Sequence, residues 1–117
     1  MAYKATHRFA RISARKVRPL ADMIRGKQVD EALSLLKYQP QRGAFLLEKV
    51  LRSALGNAQD PDQNRETVDV AGLFVSVAKV DGAPMFKRVR PGGRGQSFGI
   101  LRRSSHIHVE LSNAGEV

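Results

Sequence analysis

Apolar positions recur at helical spacing in three places and alternate in others, and this pattern predicts most of the elements. In residues 3–11, Tyr3, Ala5, His7 and Phe9 share one face and Lys4, Thr6 and Arg8 the other, the alternation of an edge strand. Ala14, Val17, Ala21 and Ile24 form the stripe of a first helix, capped by Ser13, ended by Gly26 and reaching about Lys27. Pro19 lies inside it, where proline removes a hydrogen bond and costs about 3 kcal/mol, so the reading is a kinked helix or one that starts later than Ser13. Val29, Ala32, Leu33 and Leu36 keep the spacing of a short second helix, with Asp30 and Glu31 near its positive end and Pro40 as its stop. A third helix, roughly Arg42 to Ala58, has Ala44, Leu47, Val50, Leu51, Ala54, Leu55 and Ala58 along one side.

Beyond the helices the period changes. "QDPDQNRE" reads as a polar loop. "TVDVAGLFVSVAKV" is rich in β-branched residues and predicts a strand, bulged near Gly72, and "DGAP" is turn chemistry that bends the chain out of the sheet. "HIHVEL" returns to alternation, with Ile107, Val109 and Leu111 on one face. Between these strands lies "FKRVRPGGRGQSFGILRRSSHIH", residues 86–108, with six lysines and arginines, four glycines and no acidic side chain. The economical geometry is a long hairpin with its tip at "PGGRG", residues 91–95. Arms of about ten residues at roughly 3.3 Å each would project it by about 30 Å. The predicted fold is α+β: three helices packed on a small antiparallel sheet, with a long protruding β-hairpin. We expect a single domain over residues 1–117, its globular part in about 1–81 and 104–113 and the basic hairpin in about 82–103.

Charge turns this outline toward function. The net charge is +9, and residues 1–27 carry eight basic and one acidic side chain, residues 28–81 six and eight, residues 82–117 six and two. A near-neutral middle between two cationic ends predicts a packed scaffold with two basic surfaces, which favours a polyanionic partner: nucleic acid or an anionic membrane surface. A two-stranded ribbon is marginal in water, and this one repels itself, so an anionic partner has to hold it. Its arginines can fork to phosphate, its glycines admit close backbone approach, and Phe86 or Phe98 can stack on a base. Without cysteine there is no disulfide and no thiolate metal site, and no apolar run is long enough to span a membrane.

Other chemistries find no support. "GGRGQS" lacks the spacing of a phosphate-binding loop and no helical pattern follows it. Asp60, Asp62 and Asn64 imitate a calcium loop, but Arg65 and Ala71 occupy the positions that need glycine and glutamate. His106 and His108 share a strand face without a ligand set around them, which leaves a surface or RNA-facing role. No nucleophile or acid–base pair has a motif around it. The expectation is a non-enzyme with no cofactor, no metal and no small-molecule substrate.

Four motifs, "SARKVRPLADMIRGKQVDEAL", "LLEKVLRSALGNA", "FKRVRP" and "LRRSSHIHV", occur in an order and spacing that resembles bacterial large-subunit ribosomal protein L-twenty-two, over roughly His7 to Leu111. The resemblance implies a globular domain on the ribosome surface and a hairpin that threads ribosomal RNA (rRNA) to line the polypeptide exit tunnel. It implies as partners large-subunit rRNA, neighbouring ribosomal proteins and, at the tip, the nascent polypeptide, in the cytoplasm and without a membrane. By that likeness the RNA-binding candidates on the first helix are Ser13, Arg15, Lys16, Arg18, Arg25 and Lys27, preceded by Arg8 and Arg11. On the hairpin they are Lys87, Arg88 and Arg90, then Arg94, then Arg102, Arg103, Ser104, Ser105 and His106. The tunnel tip would be Arg90, Pro91, Gly92, Gly93, Arg94 and Gly95; here "PGGRGQS" stands where relatives carry P-R-A-x-G-R-A, so Gly92 and Gln96 replace common arginines. A DNA-compacting or antitermination-type protein would share the charge but not the four ordered motifs. A small RNA-modifying enzyme would need a cofactor or acid–base site.

Overall fold

The computed structural model describes residues 3–60, 70–95 and 97–113, with the side chains of Val70, Phe86, Arg90, Ser97 and Phe98 excepted. The expected polar loop beyond Asp60, the start of the strand expected from Thr67, Gln96 and the stacking roles of Phe86 and Phe98 lie outside that description. The elements are β1 (Tyr3–Ala10), α1 (Ala14–Ile24), α2 (Val29–Lys37), α3 (Arg42–Gln59), β2 (Leu73–Pro91) and β3 (Ser97–Asn113). They form an α+β fold with an antiparallel sheet in the order β1-β3-β2.

The helices form where the apolar stripes predict them, and they cover one face of the sheet. Val17, Leu20, Ala21 and Ile24 of α1, Val29, Ala32 and Leu36 of α2, and Leu47, Val50, Leu51 and Ala54 of α3 are buried against Val75, Ala78, Val80, Ile107, Val109 and Leu111. Burying each such Val, Leu or Ile side chain contributes about 1.5–3 kcal/mol, so this layer supplies most of the driving force. Gly43 lets α3 approach α1: a Cβ there would lie 3.2 Å from Leu20 Cδ1 and 3.4 Å from both Ile12 Cδ1 and Val17 Cγ2. The start of α1 at Ala14 decides one open alternative, because the helix runs unbroken through Pro19 from directly after Ser13.

The strands differ from their sequence reading in two places. The first is the end of β1. Its register on β3 shifts between His7 and Ala10, and Phe9 sits at φ 57°. The bulge reverses the expected faces: Ala10 enters the core and Phe9 is turned out, 53% exposed. A left-handed conformation costs a non-glycine residue roughly 1–2 kcal/mol, which the pairing on either side has to offset.

The second difference is continuity. "DGAP" does not end a strand, and β2 runs for 19 residues from Leu73 to Pro91. Gly72 closes a short 3-10 turn instead of a bulge, and the bulges fall between Val75 and Val77 and between Ala83 and Phe86. At the second bulge the Ser104 hydroxyl donates to the Pro84 carbonyl at 2.9 Å. Proline fits there because a bulge asks for no ladder donor. Pairing then continues from Phe86–Arg102 to Pro91–Ser97, and Arg94 (φ 62°) and Gly95 (φ 74°) turn the tip. The molecule measures 66 × 28 × 21 Å with a radius of gyration of 17.6 Å. A compact chain of this length has about 13 Å, and the projecting hairpin accounts for the excess.

Candidate nucleic-acid interface

Where the hairpin leaves the sheet, the sequence-distant cationic segments converge. An open groove of about 1030 Å³ is lined by Arg11, Arg42, Arg88, Arg102 and Arg103, with Val89, Pro91, Ile100 and Ser104. A second, of about 440 Å³, shares Arg103 and Ser104 and adds Ser13, Arg15, Arg18, Ala83 and Met85. A third, of about 480 Å³, joins Arg11, Arg15, Lys16, Arg42, Gln41 and Gly43. The three grooves share residues, so they ring the root of the hairpin. Arg11, Arg15, Lys16, Arg18, Arg42, Arg88, Arg102 and Arg103 line them, and among the described residues no acidic side chain does. Concave surfaces of one sign focus the field, which concentrates anionic ligands.

The helix ends add to that field. Both α1 and α3 begin at the third groove, and neither Ser13 nor Gln41 caps its helix with a side-chain hydrogen bond. Neither helix has an acidic residue in its first turn, so their partial positive ends are left for an external anion. α2 is built the opposite way: the Gln28 side chain accepts from Glu31 N–H, and Asp30 and Glu31 occupy the first turn.

The candidate residues do not all reach this site. Arg11, Ser13, Arg15, Lys16, Arg18, Arg88, Arg102, Arg103 and Ser104 line the grooves, Arg8 is exposed on β1 and Lys87 on the hairpin. Arg94, Pro91, Gly93 and Gly95 are exposed at the tip and Gly92 is half-buried, while the Arg90 side chain is outside the described residues. Arg18 and Arg25 also serve the scaffold. Arg18 Nε donates to the Val80 carbonyl at 3.1 Å, and Arg25 Nη2 donates to the Ala78 carbonyl while Nη1 pairs with Asp22 at 2.7 Å. Arg25 and Lys27 lie at the far end of α1, about 15 Å from its start.

Two serines of the return arm are buried at the root of the hairpin. Ser104 is 4% and Ser105 0% exposed, so neither hydroxyl is presented at the surface. Ser104 Oγ is spent on Pro84, and Ser105 Oγ points inward with no hydrogen-bond partner among the described residues. His106 is half-buried, its Nδ1 accepting the Phe9 backbone N–H at 3.0 Å. Arg42 is the residue that sequence reasoning missed. Its Nη1 donates to the Arg11 carbonyl at 3.1 Å, which brings α3 to the groove, and its only linear signal was its place at a helix start.

On the sheet face away from the helices, His108 Nδ1 lies 2.6 Å from Thr6 Oγ1, and its Nε2 lies 3.5 Å from Glu110. Lys4 Nζ reaches the same carboxylate at 3.3 Å. Among the described residues no group of three His, Asp or Glu side chains is placed to hold a metal, and no helix is long and apolar enough to cross a membrane.

Residues 5–112 match the family described as ribosomal protein L22p/L17e. The large ribosomal subunit protein uL22 of Rhodopirellula baltica is 55% identical over 116 residues, 98% of each chain. The protein of the same description from Desulfotalea psychrophila is 44% identical over 111 residues, 95% of this chain and 97% of its own. That from Caldicellulosiruptor saccharolyticus is 47% identical over 107 residues, 92% and 84%. With likeness running through helices, sheet and hairpin alike, this chain belongs to the ribosomal protein L22p/L17e family, a structural and non-enzymatic component of the ribosome.

Proposed function

We propose that the protein is held in the large subunit of the cytoplasmic ribosome by rRNA whose phosphates run through the three grooves at the hairpin root. Neighbouring ribosomal proteins contact its remaining surface. The hairpin, residues 82–103, extends through rRNA to line the polypeptide exit tunnel, with residues 90–95 facing the nascent chain. In this reading the body in residues 1–81 and 104–113 is the part that folds alone and the hairpin is the part that RNA holds. The observation that carries the proposal is the convergence of eight cations, from the loop before α1, α1, α3 and both hairpin arms, on grooves with no acidic lining among the described residues. Seven of the eight are arginines, whose guanidinium forks match phosphate bidentately.

The test is the salt dependence of binding to large-subunit rRNA fragments. Each phosphate neutralised contributes roughly 0.7–0.9 to the log–log slope. Replacing Arg42, Arg102 and Arg103 with Gln should flatten that slope by about two units. An unchanged slope would show that these side chains do not meet phosphate and would overturn the groove assignment. Failure of the native protein to co-sediment stoichiometrically with large subunits would overturn the whole reading.

A further inference from the structure

Phe9 is placed where the fold itself has no use for a phenyl ring. It is 53% exposed beside an Ala10 that is 1% exposed, and its φ of 57° is one that glycine adopts freely. Two contacts orient it. Its backbone N–H donates to His106 Nδ1 at 3.0 Å, and its ring meets the imidazole with centroids 4.8 Å apart and planes at 85°. Accepting through Nδ1 leaves the imidazole proton on Nε2. A T-shaped contact occupies at most one face of the phenyl.

The surroundings are cationic. Arg8 precedes the ring and is exposed, and Arg11 follows it into the groove of about 1030 Å³ that Arg42 also lines. Asp81, in register with His106, lies across β3 on the side away from β1. We propose that Phe9, braced by His106, is a stacking platform for an unpaired nucleobase of the RNA that the arginine grooves hold. The proposal rests on the RNA-binding reading above. An aromatic ring among arginines suits a nucleotide, which offers a π-face and a phosphate together. Bases inside an RNA helix are already stacked, so the ligand is a bulged or single-stranded nucleotide.

The chain contains no tryptophan, so Phe9→Trp installs a sole indole reporter. The full-length protein is titrated with an oligoadenylate RNA of about twelve nucleotides and with an abasic ribose-phosphate strand of equal length. Oligoadenylate should quench the indole and the abasic strand should not. The unmodified protein should bind oligoadenylate about 5- to 150-fold more tightly than the abasic strand, the range expected of one stacked base. Phe9→Gly, which suits the positive φ and should melt no lower, should lose that preference while keeping its affinity for the abasic strand. Retention of the preference in Phe9→Gly, or equal quenching by both strands, overturns the proposal. Salt-dependent binding of both strands with no change in emission also overturns it and points the ring at a protein neighbour. Loss of salt-dependent binding to either strand by the unmodified protein overturns the RNA reading itself, and this inference with it.

Discussion

Glu110 shows how much one position depends on its neighbours. Burial pushes its carboxyl up, but hydrogen bonds and charge from Lys4 and His108 outweigh it and hold the group below its ordinary range. A carboxyl whose folded value is depressed adds stability above its unfolded value and loses it as pH falls through the folded value. Glu110→Gln should therefore cost about 0.5–1 kcal/mol near neutral pH, the size of a pair whose Lys4 end is exposed, and the difference should vanish in acid. Urea denaturation of both proteins between neutral and acid pH checks this; a gap that persists in acid would assign the cost to packing. Alternation placed Lys4 and Thr6 together on a face, but the Thr6–His108–Glu110–Lys4 chain joins β1 to β3, and a linear pattern carries no register.

At the scale of elements, the basic side chains of the first helix, grouped together as RNA-binding candidates, divide into two jobs. β2 is an edge strand, and its outer backbone groups need partners. The turn after α1 covers part of that edge, with Gly26 N–H donating to Val75 and Val75 N–H to Lys27. Arg25 and Arg18 cover the next carbonyls, Ala78 and Val80. Replacing both with Ala should destabilise the fold by about 1–3 kcal/mol, several degrees in melting temperature for a domain of this size. Replacing Arg15 and Lys16 should leave melting almost unchanged while weakening RNA binding. Thermal melts set beside binding curves separate the two pairs, and equal melting losses would refute the division. A helical period shows that arginines share a face; it does not show whether carbonyl or phosphate receives them. The same limit explains "DGAP": its residues favour a turn, but pairing to β3 on both sides carries the strand through as a bulge.

For the whole molecule, the apolar layer that holds the fold lies between Tyr3 and Val80 and between Ile107 and Leu111, apart from the hairpin. Residues 90–95 contribute no buried hydrophobic side chain among those described. Deleting those six residues should leave the melting temperature close to that of the intact chain. Incorporation into large subunits should also persist, because the deletion takes only Pro91 from the groove lining and leaves all eight cations in place. If the tip faces the tunnel, ribosomes with the shortened hairpin should change in stalling by tunnel-sensing nascent peptides or in sensitivity to tunnel-binding antibiotics. Incorporation with normal stalling and unchanged sensitivity would remove the tunnel role and leave the RNA scaffold standing.

Local chemistry was enough for the helices, because Val17, Leu36 and Leu51 each sit in a stripe whose period is a property of the helix itself. It was also enough for the excess of positive charge at both ends and for a hairpin turning on glycine. What depended on tertiary structure was everything set by pairing and close approach. Phe9 and Ala10 exchanged faces because a bulge against β3 adds one residue that no alternation records. Ser104 and Ser105, polar and preceded by two arginines, are buried, with the Ser104 hydroxyl turned to the Pro84 carbonyl across the bulge. Arg42 became part of the interface because α3 starts against the Arg11 carbonyl, a juxtaposition across 31 residues. Period is a local property of a backbone, whereas which cation faces a groove is decided by where distant segments meet.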